Sequence, residues 1–144
     1  MILYCDTSAL IKHYVEEDRS DEVDSLWQEA VEVVTATVAF AEAMATFRRK
    51  YREGVLSDVE YIQTAAEFKN EYPRLILVPI SLELNRIIEE LLLKHPLRGF
   101  DAIHLASALL IHKGSHLATR FACFDHVLNK AANEEGLDVP FLST

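Results

Sequence analysis

Apolar residues occur along this chain in short blocks whose period switches repeatedly between that of a strand and that of a helix. Ile2 to Cys5 is a continuous apolar run, as in a fully buried strand, and stops at Asp6-Thr7-Ser8, where Thr7 or Ser8 is placed to cap a helix through Val15. Asp21 to Ala30 reads as a second helix. Val31 to Val38 is β-branched and strand-like, and Ala39 to Tyr51 is a helix whose far end carries an Arg/Lys cluster, as a helix C-terminus prefers. Gly54 closes that helix; Ser57 opens another toward Tyr72, with Pro73 as its stop. Leu75 to Val78 reads as a strand, Ser81 caps a helix to Lys94, and Phe100 to His112 is a helix closed by Gly114. Leu117 to Cys123 then reads as a strand, Asp125 to Glu135 as a helix and Val139 to Leu142 as a last short strand. This alternation predicts an α/β chain of βαβ units, with a mainly parallel sheet covered by helices on both faces.

The length of 144 residues, without repeats or Pro/Gly-rich linkers, predicts one domain over residues 1–144 with a real core. No apolar stretch reaches the ~18 residues a membrane helix needs, and no basic segment precedes the first apolar run. A cytoplasmic protein without a membrane partner is the expectation. Cys5 and Cys123 both sit in apolar segments and read as small buried hydrophobes; two cysteines build neither a disulfide framework nor a zinc site.

With 23 acidic and 14 basic side chains the formal charge is −9, which disfavours indiscriminate adhesion to nucleic acid. Four of the acids differ from the rest in their neighbours. Asp6 ends the first strand, Glu42 lies just after the second, Asp101 opens a helix and Asp125 follows the strand Leu117 to Cys123. In parallel α/β sheets ligands bind beyond the carboxyl ends of the strands, where these residues fall. Taken singly, Asp101 and Asp125 have a plainer explanation as N-terminal helix acids, Asp6 as a helix cap and Glu42 as a lone surface glutamate. Taken together, carboxylates converging on one rim repel one another unless a cation neutralises them. Hard oxygen donors without paired cysteines point to Mg²⁺ or Mn²⁺, and such a site implies phosphodiester hydrolysis. Asp6 and Asp101 would be direct ligands, with Glu42 and Asp125 holding ions or waters; Ser8 or Thr7 could give a hydroxyl to an Asp6 oxygen.

The opening Ile2-Leu3-Tyr4-Cys5-Asp6-Thr7-Ser8, the Ala41-Glu42 pair, the Asp101-Ala102-Ile103-His104-Leu105-Ala106 block and the late Phe124-Asp125 resemble a PIN-domain ribonuclease, and more narrowly a VapC-type toxin of a type II toxin–antitoxin pair. The resemblance spans essentially the whole chain. It implies an α/β/α sandwich, an acidic pocket for Mg²⁺ or Mn²⁺, endonucleolytic cleavage of RNA and inhibition by a cognate antitoxin. It also suggests a homodimer; apolar residues of the helices at Ala39 to Tyr51 and Ser57 to Tyr72 would form its face or else belong simply to the core. The family's four acids fall on Asp6, Glu42, Asp101 and Asp125. One departure is Cys123, which stands where the family usually has Thr or Ser, a better hydrogen-bonding partner for the last aspartate.

His104 shares a helix face with Asp101, but its apolar neighbours favour a core histidine bonded to a nearby group over a metal ligand. Trp27, Tyr51, Tyr61 and Phe68 likewise fit core packing better than base stacking. Arg48, Arg49, Lys50 and Arg52 form the dense basic run. It is either a solvated helix end or a contact line for the RNA backbone, to which Lys12 and Arg98 would add. A competing reading keeps the acidic rim but makes it a non-catalytic module that docks a basic partner segment. A phosphoacceptor receiver-like domain fits poorly, because Asp6 stands alone after the first strand.

Overall fold

In the computed structural model, residues 1–143 are described; Thr144, the last position of the single-domain expectation, lies outside them. Strands and helices alternate in the predicted order: β1 (Ile2–Cys5), α1 (Thr7–Tyr14), α2 (Ser20–Glu29), β2 (Glu32–Ala36), α3 (Ala39–Arg52), α4 (Asp58–Glu71), β3 (Ile76–Val78), α5 (Leu82–Lys94), α6 (Gly99–Lys113), β4 (Thr119–Ala122) and α7 (His126–Glu134). The strands form one sheet in the order β3-β2-β1-β4, and every pairing is parallel. Tyr4 of β1 is in register with Val34 of β2 on one side and Phe121 of β4 on the other.

The four residues of β1 show why the fold has three layers. All four are buried, but Ile2 and Tyr4 pack with Leu84, Leu91, Leu105 and Leu128 of α5, α6 and α7, whereas Leu3 and Cys5 pack with Leu10, Val23, Phe47 and Phe68 of α1 to α4. Successive strand side chains point to opposite faces, so an uninterrupted apolar run serves two cores at once. Cys5 and Cys123 are both free and buried, as their apolar settings predict.

Element ends follow local chemistry. Ser57 and Glu60 form a reciprocal capping box at the start of α4, with the Glu60 N–H donating to Ser57 Oγ at 3.1 Å and the Ser57 N–H donating to Glu60 Oε1 at 2.9 Å. Ser57→Ala should therefore cost about 1 kcal/mol in a chemical-denaturation measurement. Gly54 follows α3 at φ +77°, a left-handed conformation that glycine adopts without strain.

Apart from element ends that move by one or two residues, as in β2 and β4, the structure differs from expectation at two places. Neither Thr7 nor Ser8 caps α1: both lie inside the helix, and Asp6 is the N-cap, accepting the Ala9 N–H. The last segment also forms no strand over Val139 to Leu142. It touches the sheet through a single parallel bridge between Arg120 and Asp138, then turns. Pro140 has no N–H with which to extend a ladder, and Asn129 instead takes the Phe141 carbonyl at 3.1 Å.

Candidate active site

Chain order runs outward from β1 to β2 to β3 and then returns to the far side of β1 for β4, so the sheet's topological switch lies between β1 and β4. Residues just beyond the carboxyl ends of those two strands border the crevice in which such sheets bind ligands. Asp6 follows β1 and Asp125 follows β4 by three residues. Glu42 comes from the first turn of α3 and Asp101 from that of α6. All four line one cavity of about 310 Å³, together with Arg98 and His104.

Plainer roles hold at the same time for Asp6 and Asp125, whereas Glu42 is no lone surface glutamate but is bonded to Thr7 and His104. Asp6 caps α1 and Asp125 caps α7, the latter through Oδ1 accepting the Leu128 N–H at 2.8 Å. Capping by a carboxylate satisfies orphan helix N–H groups and fixes the side chain in one rotamer.

Asp6 is the most enclosed of the four, at 5% exposure. Its Oδ1 accepts the Ser8 hydroxyl at 2.7 Å and the Ala9 N–H at 3.0 Å. The same Ser8 oxygen accepts the Phe124 N–H at 3.1 Å, tying the end of β1 to the residue before Asp125. Burial pushes the Asp6 carboxyl above the usual aspartate range; attraction to His104 and the bonds from Ser8, Ala9 and Cys123 only partly offset it. An ionised Asp6 at the floor of the cavity thus calls for positive charge.

Glu42 is held from below. The Thr7 hydroxyl donates to its Oε1 at 2.7 Å, and His104 Nε2 lies 2.9 Å from the same oxygen. On its other side, His104 Nδ1 sits 2.9 Å from the Tyr4 hydroxyl. Burial drives the Tyr4 phenol well above its ordinary value, so the hydroxyl keeps its proton. With Tyr4 at Nδ1, Nε2 is the ring nitrogen that faces Glu42. Burial raises the Glu42 carboxyl, but the bonds from His104 and Thr7 and the His104 charge outweigh it and leave it below the ordinary glutamate value. His104 is therefore the bonded core histidine that the sequence favours, at 2% exposure. Its partner across the fold, Glu42, was not legible: 62 residues separate the two.

Arg98 lies across the outer rim. Its Nε donates to Asp101 Oδ2 at 3.1 Å, and Nη2 is 3.8 Å from Asp125 Oδ2. A single guanidinium thus sets one positive charge against two of the four carboxylates. The donor set is entirely hard oxygen from carboxylates and hydroxyls, which suits Mg²⁺ or Mn²⁺. The carboxylates are spread around the cavity, and among the described residues no three acidic, His or Cys groups gather closely enough to close on one ion.

Cys123 does supply a contact at its position. The Asp125 N–H donates to its sulfur at 3.2 Å, and burial pushes the thiol strongly up, so it keeps its proton.

Comparison with known proteins places this geometry. The PIN domain family model matches residues 3–132. Ribonuclease VapC45 of Mycobacterium tuberculosis is 26% identical over 110 residues, 76% of each chain. Among solved structures, VapBC-1 from nontypeable Haemophilus influenzae superposes with a TM-score of 0.67 over 100% of both chains at 12% identity. VapC20 of Mycobacterium tuberculosis, a Sarcin-Ricin loop cleaving toxin, does so with a TM-score of 0.63 over 90% of this chain and 94% of its own, at 18% identity.

Proposed function

The chain belongs to the PIN domain family, and from that membership we propose that it is a metal-dependent endoribonuclease, the toxin of a toxin–antitoxin pair. The observation that carries this reading is the meeting of Asp6, Glu42, Asp101 and Asp125, from four separate elements, around one cavity at the sheet's switch point. The similarity to ribonuclease VapC45 supports RNA as substrate.

In this reading Asp6 and Asp101 would hold Mg²⁺ or Mn²⁺, with Glu42 and Asp125 holding ions or waters beside them. When bound, the cation supplies Lewis-acid stabilisation of the phosphoryl charge and lowers the pKa of water. The protein's own part is orientation. Ser8 and the Ala9 N–H fix Asp6, Thr7 and His104 fix Glu42 and keep it ionised at neutral pH, and the α7 cap fixes Asp125. Arg98, paired with Asp101 and Asp125 at the rim, is placed to meet the phosphate. The antitoxin would present a basic segment to the same rim, which Arg98 shows can seat a guanidinium. Exposed Val59 and Ile62 on α4 support pairing of two copies through that helix. Among the described residues no helix is long and apolar enough to cross a membrane.

Purified protein incubated with structured RNAs should produce discrete internal cuts in Mg²⁺ or Mn²⁺ and none in excess EDTA. RNA left intact in both metals would remove the nuclease reading and leave the docking module in its place.

A further inference from the structure

A second cavity, about 340 Å³, adjoins the acidic one and shares Thr7, Ser8 and Phe124 with it. Its chemistry is the reverse. Lys12 of α1 and Arg49 and Lys50 of α3 line it, against the single carboxylate of Glu17. Each oxygen of Glu17 takes one lysine: Lys12 Nζ lies 3.3 Å from Oε1 and Lys50 Nζ 3.2 Å from Oε2. The two ammonium groups are well sheltered, with side-chain exposures of 16% and 20%, and Lys12 is further held by the Asp18 carbonyl at 2.8 Å and by the Phe124 ring, 4.8 Å from its centroid.

Two sheltered lysines on one carboxylate leave a net positive cradle in a chain whose overall charge is −9. Ordinary solvated lysines at a helix end would not share one carboxylate or face a common cavity. The rest of the basic run behaves differently: Arg48 turns away to lie over the Tyr51 and Tyr61 rings at 4.9 and 5.3 Å. The run thus splits, and Arg49 and Lys50 join Lys12 from another helix around the second cavity.

The geometry points to this cradle as the subsite for a phosphodiester next to the scissile one, so that an RNA strand crosses from the acidic cavity over Thr7, Ser8 and Phe124 into the Lys12–Lys50 cavity. Glu17 acts there as an internal stand-in for the phosphate, keeping the lysines placed and yielding them when the backbone arrives. A cradle beside the cut site, rather than bulk charge, lets an acidic protein hold a polyanion. This inference rests on the ribonuclease reading above and adds the path of the strand.

The test separates the two. Cleavage kinetics in Mg²⁺ should show that the Lys12→Ala/Lys50→Ala double variant raises KM about tenfold with kcat little changed, since these residues position phosphate and do not touch the reacting atoms. The dependence of log(kcat/KM) on log salt should flatten by about 0.7 for each phosphate that the variant no longer neutralises. Glu17→Gln should move both quantities the other way, lowering KM severalfold and steepening the salt dependence. Removing two cations elsewhere, in Arg86→Ala/Lys113→Ala, should change neither. If Lys12, Lys50 and Glu17 form only an internal ion triad, Glu17→Gln will lower the melting temperature with KM and salt slope unmoved, and the inference falls while the nuclease reading stands. Absence of cleavage by the parent protein would overturn both.

Discussion

Asp6→Asn is expected to abolish RNA cleavage, lowering it on the order of a thousandfold, while leaving the protein more stable at neutral pH than its parent. The two effects have one cause. Asp6 is almost fully buried, and burial holds its carboxyl above the usual aspartate range, so the folded state carries an ionised group at a cost. Asparagine keeps an oxygen for the Ser8 hydroxyl and the Ala9 N–H and remains a good N-cap, but brings no charge. A group whose folded pKa is raised binds more protons in the folded than in the unfolded state, so its ionisation destabilises the fold as pH rises from the ordinary value of 3.8 through the folded value. The stability gain of Asp6→Asn should therefore be absent below about pH 3.8, grow as the pH rises above it and level off once the pH exceeds the raised folded value. Chemical denaturation in EDTA at several pH values measures it. Asp6→Ala, which removes the cap as well, should fall short of Asp6→Asn by about 1 kcal/mol. A variant that still cleaves RNA, or a stability difference that does not vary with pH, would contradict the role assigned to this carboxylate. The trade is the familiar one between a site that needs a costly charge and a fold that would be steadier without it.

The second large effect is expected at His104. His104→Ala removes a fully packed ring, leaves the Tyr4 hydroxyl buried without its imidazole partner and frees Glu42, and should cost about 3 kcal/mol. Cleavage should fall by about ten- to a hundredfold, the range seen when groups that orient site ligands are removed. Packing and positioning can be pulled apart. In Tyr4→Phe/His104→Leu the volume is restored and both members of the buried hydrogen bond are gone, which is nearly neutral for stability because no donor is left stranded. That double variant should melt close to the parent yet cleave as poorly as His104→Ala, because Glu42 retains only Thr7. If the double variant recovers parental cleavage, His104 serves the core alone. A double-mutant cycle between His104→Leu and Glu42→Gln gives the same answer independently: effects that act through Glu42 will not add.

Much of this was legible in one dimension. The uninterrupted run Ile2 to Cys5 announced a two-faced strand, the alternation of periods announced parallel βαβ units, and the acids placed at strand ends and helix starts marked the rim before any fold was known. The motif-bearing segments also carried the family resemblance, which the PIN domain match bears out. These features are local: hydrophobic period, cap chemistry and the position of a charge relative to an element end are all set within a few residues.

The partners were a different matter. Sequence spacing carries no signal that Thr7 and His104 share one oxygen of Glu42, that Tyr4 sets the imidazole from a hundred residues away, or that Glu17 gathers Lys12 and Lys50. Nor did it show that the basic run splits between an aromatic pair and a cavity, or that Val139 to Leu142 turns away from the sheet after one bridge. Such pairings are decided by strand order and helix packing, which bring distant segments to the same edge of the sheet. The sequence by itself determined which residues carry charge at the ends of elements; only the tertiary structure decided which of those charges meet, because a carboxylate's neighbours, and with them its cost and its use, belong to the packing of whole layers rather than to the chain around it.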